Sequence, residues 1–230
     1  MIDASSKISQ ILFPPACALC GADARKHLIC QACEDDLPWH DGLQCPVCAI
    51  PTGTGEICGH CLLSPPAFDA TRALLAYQFP VSAVLQCYKY AGFLAVAHMM
   101  AALFVNKLGD AALPDVIVPM PLHATRLKER GFNQAVEIGR LLARRLRVPF
   151  EPAHAKRTRH TTPQAGLAFK ERHRNVRGVF AFEPHIAGKN IVLLDDIMTT
   201  GASLNALAQA AKKAGAARVE CWVMARTLPE

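Results

Sequence analysis

Eight of the ten cysteines fall into four Cys-x-x-Cys pairs, Cys17/Cys20, Cys30/Cys33, Cys45/Cys48 and Cys58/Cys61, which constrain the N-terminal part of the chain more than any other feature. The third and fourth pairs repeat the first and second at a constant offset of 28 residues: "CALCGADARKHLICQAC" is followed by "CPVCAIPTGTGEICGHC". A repeat this regular reads as two copies of one metal-binding unit. Two knuckles per unit supply four thiolates, and a closed all-thiolate shell suits a tetrahedral zinc ion that stabilises rather than catalyses. About two structural zinc ions per chain are therefore expected. Sequential sites, the first four cysteines on one ion and the last four on another, fit a duplicated unit best, while a cross-braced arrangement uses the same intervals. A disulfide framework would need an oxidising compartment. The opening "MIDASSKISQILFPPAC" has no basic, apolar and small-residue succession of a secretory leader, so a soluble cytoplasmic protein is expected. Cys87 and Cys221 lie outside the repeat in apolar surroundings and read as core residues.

Charge is unevenly distributed. Residues 1–66 carry three Lys/Arg against seven Asp/Glu, whereas residues 123–177 carry fourteen Lys/Arg against four acids. An anionic ligand belongs to the second region, and the acidic cysteine-rich module is a poor candidate for gripping phosphates alone. The longest apolar stretch, "AGFLAVAHMMAALF", covers fourteen residues and contains His98, too short to span a bilayer, so no membrane insertion is expected.

After the proline-marked "SPPAFD" the pattern becomes one of alternating strands and helices, giving two expected units, residues 1–66 and 67–230. "TRALLAYQF", "DVIVPMP", "RVPFEPAHA", "RGVFAF", "NIVLLDD" and "ARVECWVMART" read as strands. "PVSAVLQCYKYAG", "LAVAHMMAALFVNKLG", "NQAVEIGRLLARRL" and "SLNALAQAAKKAG" read as helices, and such alternation predicts an α/β fold with a mostly parallel sheet flanked by helices. Its ligand is expected beyond the carboxyl ends of the strands.

At one such end stands "NIVLLDDIMTTGAS". Asp195 and Asp196 are expected at an exposed strand end, and Thr199, Thr200, Gly201, Ala202 and Ser203 lead into a helix. Backbone N–H groups, hydroxyls and a helix N-terminus together cradle a phosphate, and a glycine lets the backbone come close to it. Two carboxylates one sugar away suit hydroxyl groups, so the stretch is shaped for a ribose 5-phosphate. An ordinary N-cap explains Ser203 but not an acidic pair closing a buried strand. An acid pair also suits direct magnesium binding, and no G-x-G-x-x-G of a dinucleotide site occurs.

"IVLLDDIMTTGAS" closely resembles the 5-phosphoribosyl 1-pyrophosphate (PRPP) motif of type I phosphoribosyltransferases. The four cysteine pairs, "VPMPLHATRLKERGFNQA" and "RTRHTTPQAGLAFKERHRNVRGVF" extend the resemblance over essentially the whole chain, to the ComF family of competence and GntX-like proteins. The resemblance implies a type I phosphoribosyltransferase fold with a flexible hood loop, preceded by a double zinc ribbon. It implies that Asp195 and Asp196 hold the ribose hydroxyls and residues 199–203 the 5-phosphate. Pro121, Leu122 and His123 match the turn that meets pyrophosphate, with Arg126 and Arg130 after it. Arg157, Thr162, Gln164, Arg172 and Asn175 fall on the closing loop. "KYAG" at residues 89–92 also matches a family motif, without a role that its residues suggest.

As a transferase, the chain would bind PRPP with magnesium bridging pyrophosphate and ribose hydroxyls, and would position an acceptor while neutralising the leaving group. No general base stands out; His123, His160 and His173 qualify only by proximity. A non-catalytic binding protein handling single-stranded DNA in DNA uptake is a second reading, and a PRPP-sensing regulator a third. The zinc module has three docking targets open to it: DNA, a DNA-uptake helicase-like protein, or the large domain alone.

Overall fold

The computed structural model describes residues 16–25, 27–158 and 178–228. Four strands, β1 (Ala70–Ala76), β2 (Val116–Pro119), β5 (Asn190–Met198) and β6 (Arg218–Arg226), form one sheet in the order β1-β6-β5-β2, and each pairing is parallel. The two central strands read as continuous apolar runs because both their faces are covered. Val192 and Leu194 of β5 enter one core, and Ile191 and Leu193 enter another.

Three helices cover the first face. They are α3 (Val81–Ala91), α4 (Ala95–Leu108) and α6 (Gln134–Leu146), which contribute Leu85, Tyr88, Met100, Phe104, Ile138 and Leu142. Gly139 brings α6 close to the sheet: a Cβ there would stand 2.6 Å from the Phe150 ring and 3.0 Å from Leu194. Helix α7 (Ala202–Lys213) covers the second face with Leu204, Leu207, Ala208 and Ala211.

One expected return to the main sheet is only touched. Phe150 makes a single parallel bridge to Ile117, and the chain then leaves. Strand β3 (Ala155–Arg157) instead pairs antiparallel with β4 (Phe180–Phe182) in a separate two-stranded sheet. Pro149 and Pro152 have no N–H to donate, so a longer ladder along β2 cannot form through them. A further helix that the sequence pattern did not bring out, α5 (Ala124–Arg130), lies between β2 and α6.

The cysteine-rich segment contains two single-turn helices, α1 (Gln31–Asp35) and α2 (Gly59–Leu63). Its middle runs along the free edge of β1. Trp39 bridges Leu75 in antiparallel fashion, the His40 N–H donates to the Leu74 carbonyl at 3.1 Å, and the Ala76 N–H donates to the Pro38 carbonyl at 2.7 Å. This closes an edge that would otherwise invite another strand. Lys107 of α4 fastens the crossing, its Nζ lying 2.7 Å from Asp41 Oδ1 and donating to the His40 carbonyl at 2.9 Å. In consequence the two cysteine units part company: Cys17 with Ile29 and Leu37 joins the core of the α3–α4–α6 face, whereas Cys45, Cys48 and Cys61 join the core of the α7 face. Among the described residues no helix is long and apolar enough to cross a membrane.

Candidate functional site

β5 does not stop at its acids. It continues through Ile197 to Met198, so Asp195 and Asp196 lie inside the strand rather than at an exposed end. Asp196 is buried at 7% exposure and Asp195 is half-buried. Asp195 Oδ1 accepts from the Asp196 N–H at 2.9 Å, and Lys89 Nζ of α3 stands 2.9 Å from Asp196 Oδ2. Burial, and after it the neighbouring Asp196, push the Asp195 carboxyl up to about 8, against the opposing pull of Lys89. The "KYAG" motif thereby acquires a structural part: it brings an ammonium to the acid pair from a different element.

The loop after β5 turns at Gly201, whose φ of 77° is the left-handed conformation that glycine adopts without strain. A Cβ there would meet Met198 Cε at 2.9 Å. Gly201, and not Ser203, is the N-cap of α7; Ser203 stands within the first turn. Thr200 Oγ1 accepts from the Ala202 N–H at 3.3 Å, and the Gly201 carbonyl accepts from the Asn205 N–H at 2.8 Å. Loop and helix N-terminus thus face the space beyond the strand ends, the ordinary geometry of an anion cradle.

The adjacent strand β2 delivers the second wall. Because the Met120 N–H donates to the Leu194 carbonyl at 2.8 Å, the turn of Pro121, Leu122 and His123 emerges directly beside the acid pair. His123 caps α5, its Nδ1 accepting from the Thr125 N–H at 3.3 Å. Asn133 caps α6 through its Oδ1 and donates to the Met120 carbonyl at 3.0 Å, so "RGFNQA" serves to fix the turn. Arg157 of β3 lies over the Phe180 ring; burial lowers its pKa, followed by repulsion from Arg126, while Asp195 raises it. Arg126, Arg157 and Asp195 therefore share one electrostatic neighbourhood. Arg130 points elsewhere, its Nη1 donating to Gln134 Oε1 at 3.1 Å with its guanidinium over exposed Tyr90. Thr162, Gln164, Arg172 and Asn175, with His160 and His173, lie outside the described residues.

The cysteines group sequentially. The Sγ atoms of Cys17, Cys20, Cys30 and Cys33 lie within 4.8 Å of one another, as do those of Cys45, Cys48, Cys58 and Cys61. The Cys20–Cys30 and Cys48–Cys58 separations of 3.6 and 3.7 Å approach the edge of about 3.8 Å that a tetrahedron with a metal–sulfur bond of about 2.3 Å has. Burial opposes ionisation of Cys17, but the N–H groups of Cys30, Cys20 and Leu19 bring its pKa down to about 6. The donor chemistry fits two structural zinc ions in separate four-thiolate sites, and the cross-braced alternative is not adopted.

Comparison with known proteins agrees with this geometry. Residues 8–62 match the double zinc ribbon domain and residues 133–228 the phosphoribosyl transferase domain. DNA utilization protein YhgH of Escherichia coli K12 is 32% identical over 195 residues, covering 82% of this chain and 86% of that protein. Competence protein F of Haemophilus influenzae is 27% identical over 219 residues, covering 91% and 90%. Competence protein ComFC of Bacillus subtilis is 27% identical over 210 residues, covering 86% and 84%.

Proposed function

This chain belongs to the ComF family, and from that premise we propose that it binds PRPP at the carboxyl end of β5. One observation carries the reading: two carboxylates within the central strand stand shortly before a left-handed glycine loop and a helix N-terminus. Asp195 and Asp196 accept hydrogen bonds from the ribose hydroxyls. Residues 199–203 receive the 5-phosphate. The turn at Pro121, Leu122 and His123, with Arg126 and Arg157, meets the pyrophosphate, and Arg130 joins them only by leaving Gln134 Oε1 and the Tyr90 ring. The family resemblance alone adds Thr162, Gln164, Arg172 and Asn175 to the proposed contacts. Magnesium, when bound with PRPP, supplies further charge neutralisation on the pyrophosphate. Transfer to an acceptor would then need only positioning and stabilisation of the leaving group from the chain itself.

Calorimetric titration of the zinc-loaded protein with PRPP and magnesium tests the reading, and a pH series makes the test specific. Hydroxyl donors favour an ionised carboxylate, so binding lowers the raised pKa of Asp195 from about 8 and expels its proton. Below pH 8 the apparent affinity should therefore rise with pH, and the heat should depend on the ionisation enthalpy of the buffer. Near pH 9 both effects should vanish. Lys89→Met removes the cation that lowers the Asp195 pKa and should move the whole profile to higher pH. A buffer-independent heat at pH 7 would remove Asp195 from the ribose contacts.

The relatives are named for DNA utilisation and competence. We propose that this chain likewise takes part in the uptake or use of external DNA, handling single strands in the cytoplasm. Exposed Arg140, Arg144, Arg145 and Arg147 on and after α6 provide a cationic face for phosphates. Neutralising these four should flatten the salt dependence of oligonucleotide binding, the log–log slope falling by about 0.7 for each phosphate that the chain no longer neutralises. An unchanged slope would assign those arginines to solvent alone.

A further inference from the structure

Arg226, the last residue of β6, is 2% exposed, and its hydrogen bonds among the described residues go to backbone carbonyls rather than to a carboxylate. A buried guanidinium is costly unless its donors are satisfied. Here Nε donates to the Cys48 carbonyl at 2.9 Å, and Nη1 donates to the carbonyls of Met198 at 3.0 Å, Thr227 at 2.9 Å and Thr199. One side chain therefore joins a cysteine of the second thiolate set to the first residues of the loop after β5.

The direction of these bonds matters. A trans peptide points its carbonyl and the following N–H to opposite sides. The bond after Thr199 is trans. Drawing the Thr199 carbonyl onto Arg226 therefore turns the Thr200 N–H to the opposite side, away from the guanidinium. Packing reinforces the link. Phe68 and Met198, which lie beneath Gly201, share one core with Cys45, Cys48 and Cys61. The Ala67 N–H, just after this ribbon, donates to Asn205 Oδ1 of α7 at 2.7 Å. The first set of four cysteines takes no part in this core, because Cys17 sits in the core of the opposite face.

We infer that Arg226 is a positioning residue that makes the second zinc ribbon, and not the first, a structural part of the phosphate loop. The inference rests on the sugar-phosphate reading of that loop. It assigns unequal roles to two modules whose sequences repeat each other: one ribbon braces the anion cradle, while the other stabilises the helical face.

Three titrations of the full zinc-loaded chain test this, with ribose 5-phosphate, inorganic pyrophosphate and PRPP plus magnesium as probes. Arg226→Met should weaken ribose 5-phosphate binding tenfold or more and leave pyrophosphate binding within twofold, with the zinc content unchanged. Arg226→Lys should recover part of the loss, since an ammonium reaches fewer of the four carbonyls. Equal ribose 5-phosphate affinity in Arg226→Met and the intact chain would overturn the inference. Parallel loss of both probes would overturn it too, by showing a global effect. A second comparison holds should Arg226→Met fail to fold: Cys58→Ser should weaken ribose 5-phosphate binding and Cys20→Ser should not, and equal losses refute the asymmetry. If the intact chain binds neither ribose 5-phosphate nor PRPP, the reading of the loop itself fails, which is a distinct result.

Discussion

Replacing Asp195 and Asp196 together by Asn is expected to weaken binding of PRPP with magnesium between about a hundredfold and about ten-thousandfold. Two hydrogen bonds to charged acceptors are lost, each contributing about 1.5–3 kcal/mol. Asn is the informative replacement because Asp196 is buried against Lys89. Alanine would leave that ammonium facing a cavity, whereas Asn keeps both the volume and an oxygen. Titration calorimetry reads the effect directly, and an affinity within threefold of the intact chain would dismiss the acid pair as ribose ligands.

Stability should move the other way for Asp195. Its carboxyl is held up at about 8 by burial and by Asp196, so the folded state binds a proton that the unfolded chain releases above about pH 4. That imbalance costs the fold stability progressively as pH rises from about 4 to 8, with no further loss above. The single substitution Asp195→Asn should abolish this decline, making the variant as stable as the intact chain at low pH and more stable near pH 8. A residue that the fold would be better without, and that stands in the central strand beside an anion cradle, is the pattern of a site retained for a ligand.

How much of this was legible in the sequence depends on how local each feature is. The acid pair, the glycine loop and the helix behind it occupy one continuous stretch, and their order alone marks it as a candidate phosphate site. Two boundaries differ: the strand runs on through Ile197 and Met198 although its carboxylates suggest a terminus, and the helix is capped by Gly201 rather than by Ser203. The helix α5 leaves little trace in the sequence, because seven residues show too little periodicity and its cap is a histidine. The lasting gaps are non-local. Lys89 is far along the chain from Asp196, and Arg226 is far from both Cys48 and Thr199, so no spacing rule links them. Arg226 did leave one trace: a guanidinium closing the apolar run "CWVMAR" asks for buried acceptors. The duplicated cysteine unit favours sequential pairing, which the structure adopts, but its spacing does not show that the crossing of the chain over the β1 edge separates the two sets onto opposite faces.

Metal analysis should find about two zinc ions per chain, and their removal should produce the largest loss of order of any single treatment. The helices α1 and α2 have five residues each, far below the length at which a helix holds without tertiary support. Around them lie turns, so residues 16–25 and 27–63 owe their shape to the two thiolate sets and to the β1 edge. Structural zinc contributes about 10–16 kcal/mol of apparent binding energy per site in isolated zinc fingers, which exceeds what so small an apolar core can replace. A strong chelator should therefore open the segment before β1 to proteolysis while the parallel sheet remains cooperative. The opened segment should also release the edge of β1, since the donors and acceptors at Leu74 and Ala76 lose Pro38 and His40 as partners. An exposed edge of that kind associates, so light scattering should rise as zinc is withdrawn. One zinc per chain would mean that one repeat holds no metal, and an unchanged digestion pattern after chelation would mean that packing of Cys17, Cys45, Cys48 and Cys61 into the two cores, rather than zinc, shapes the segment.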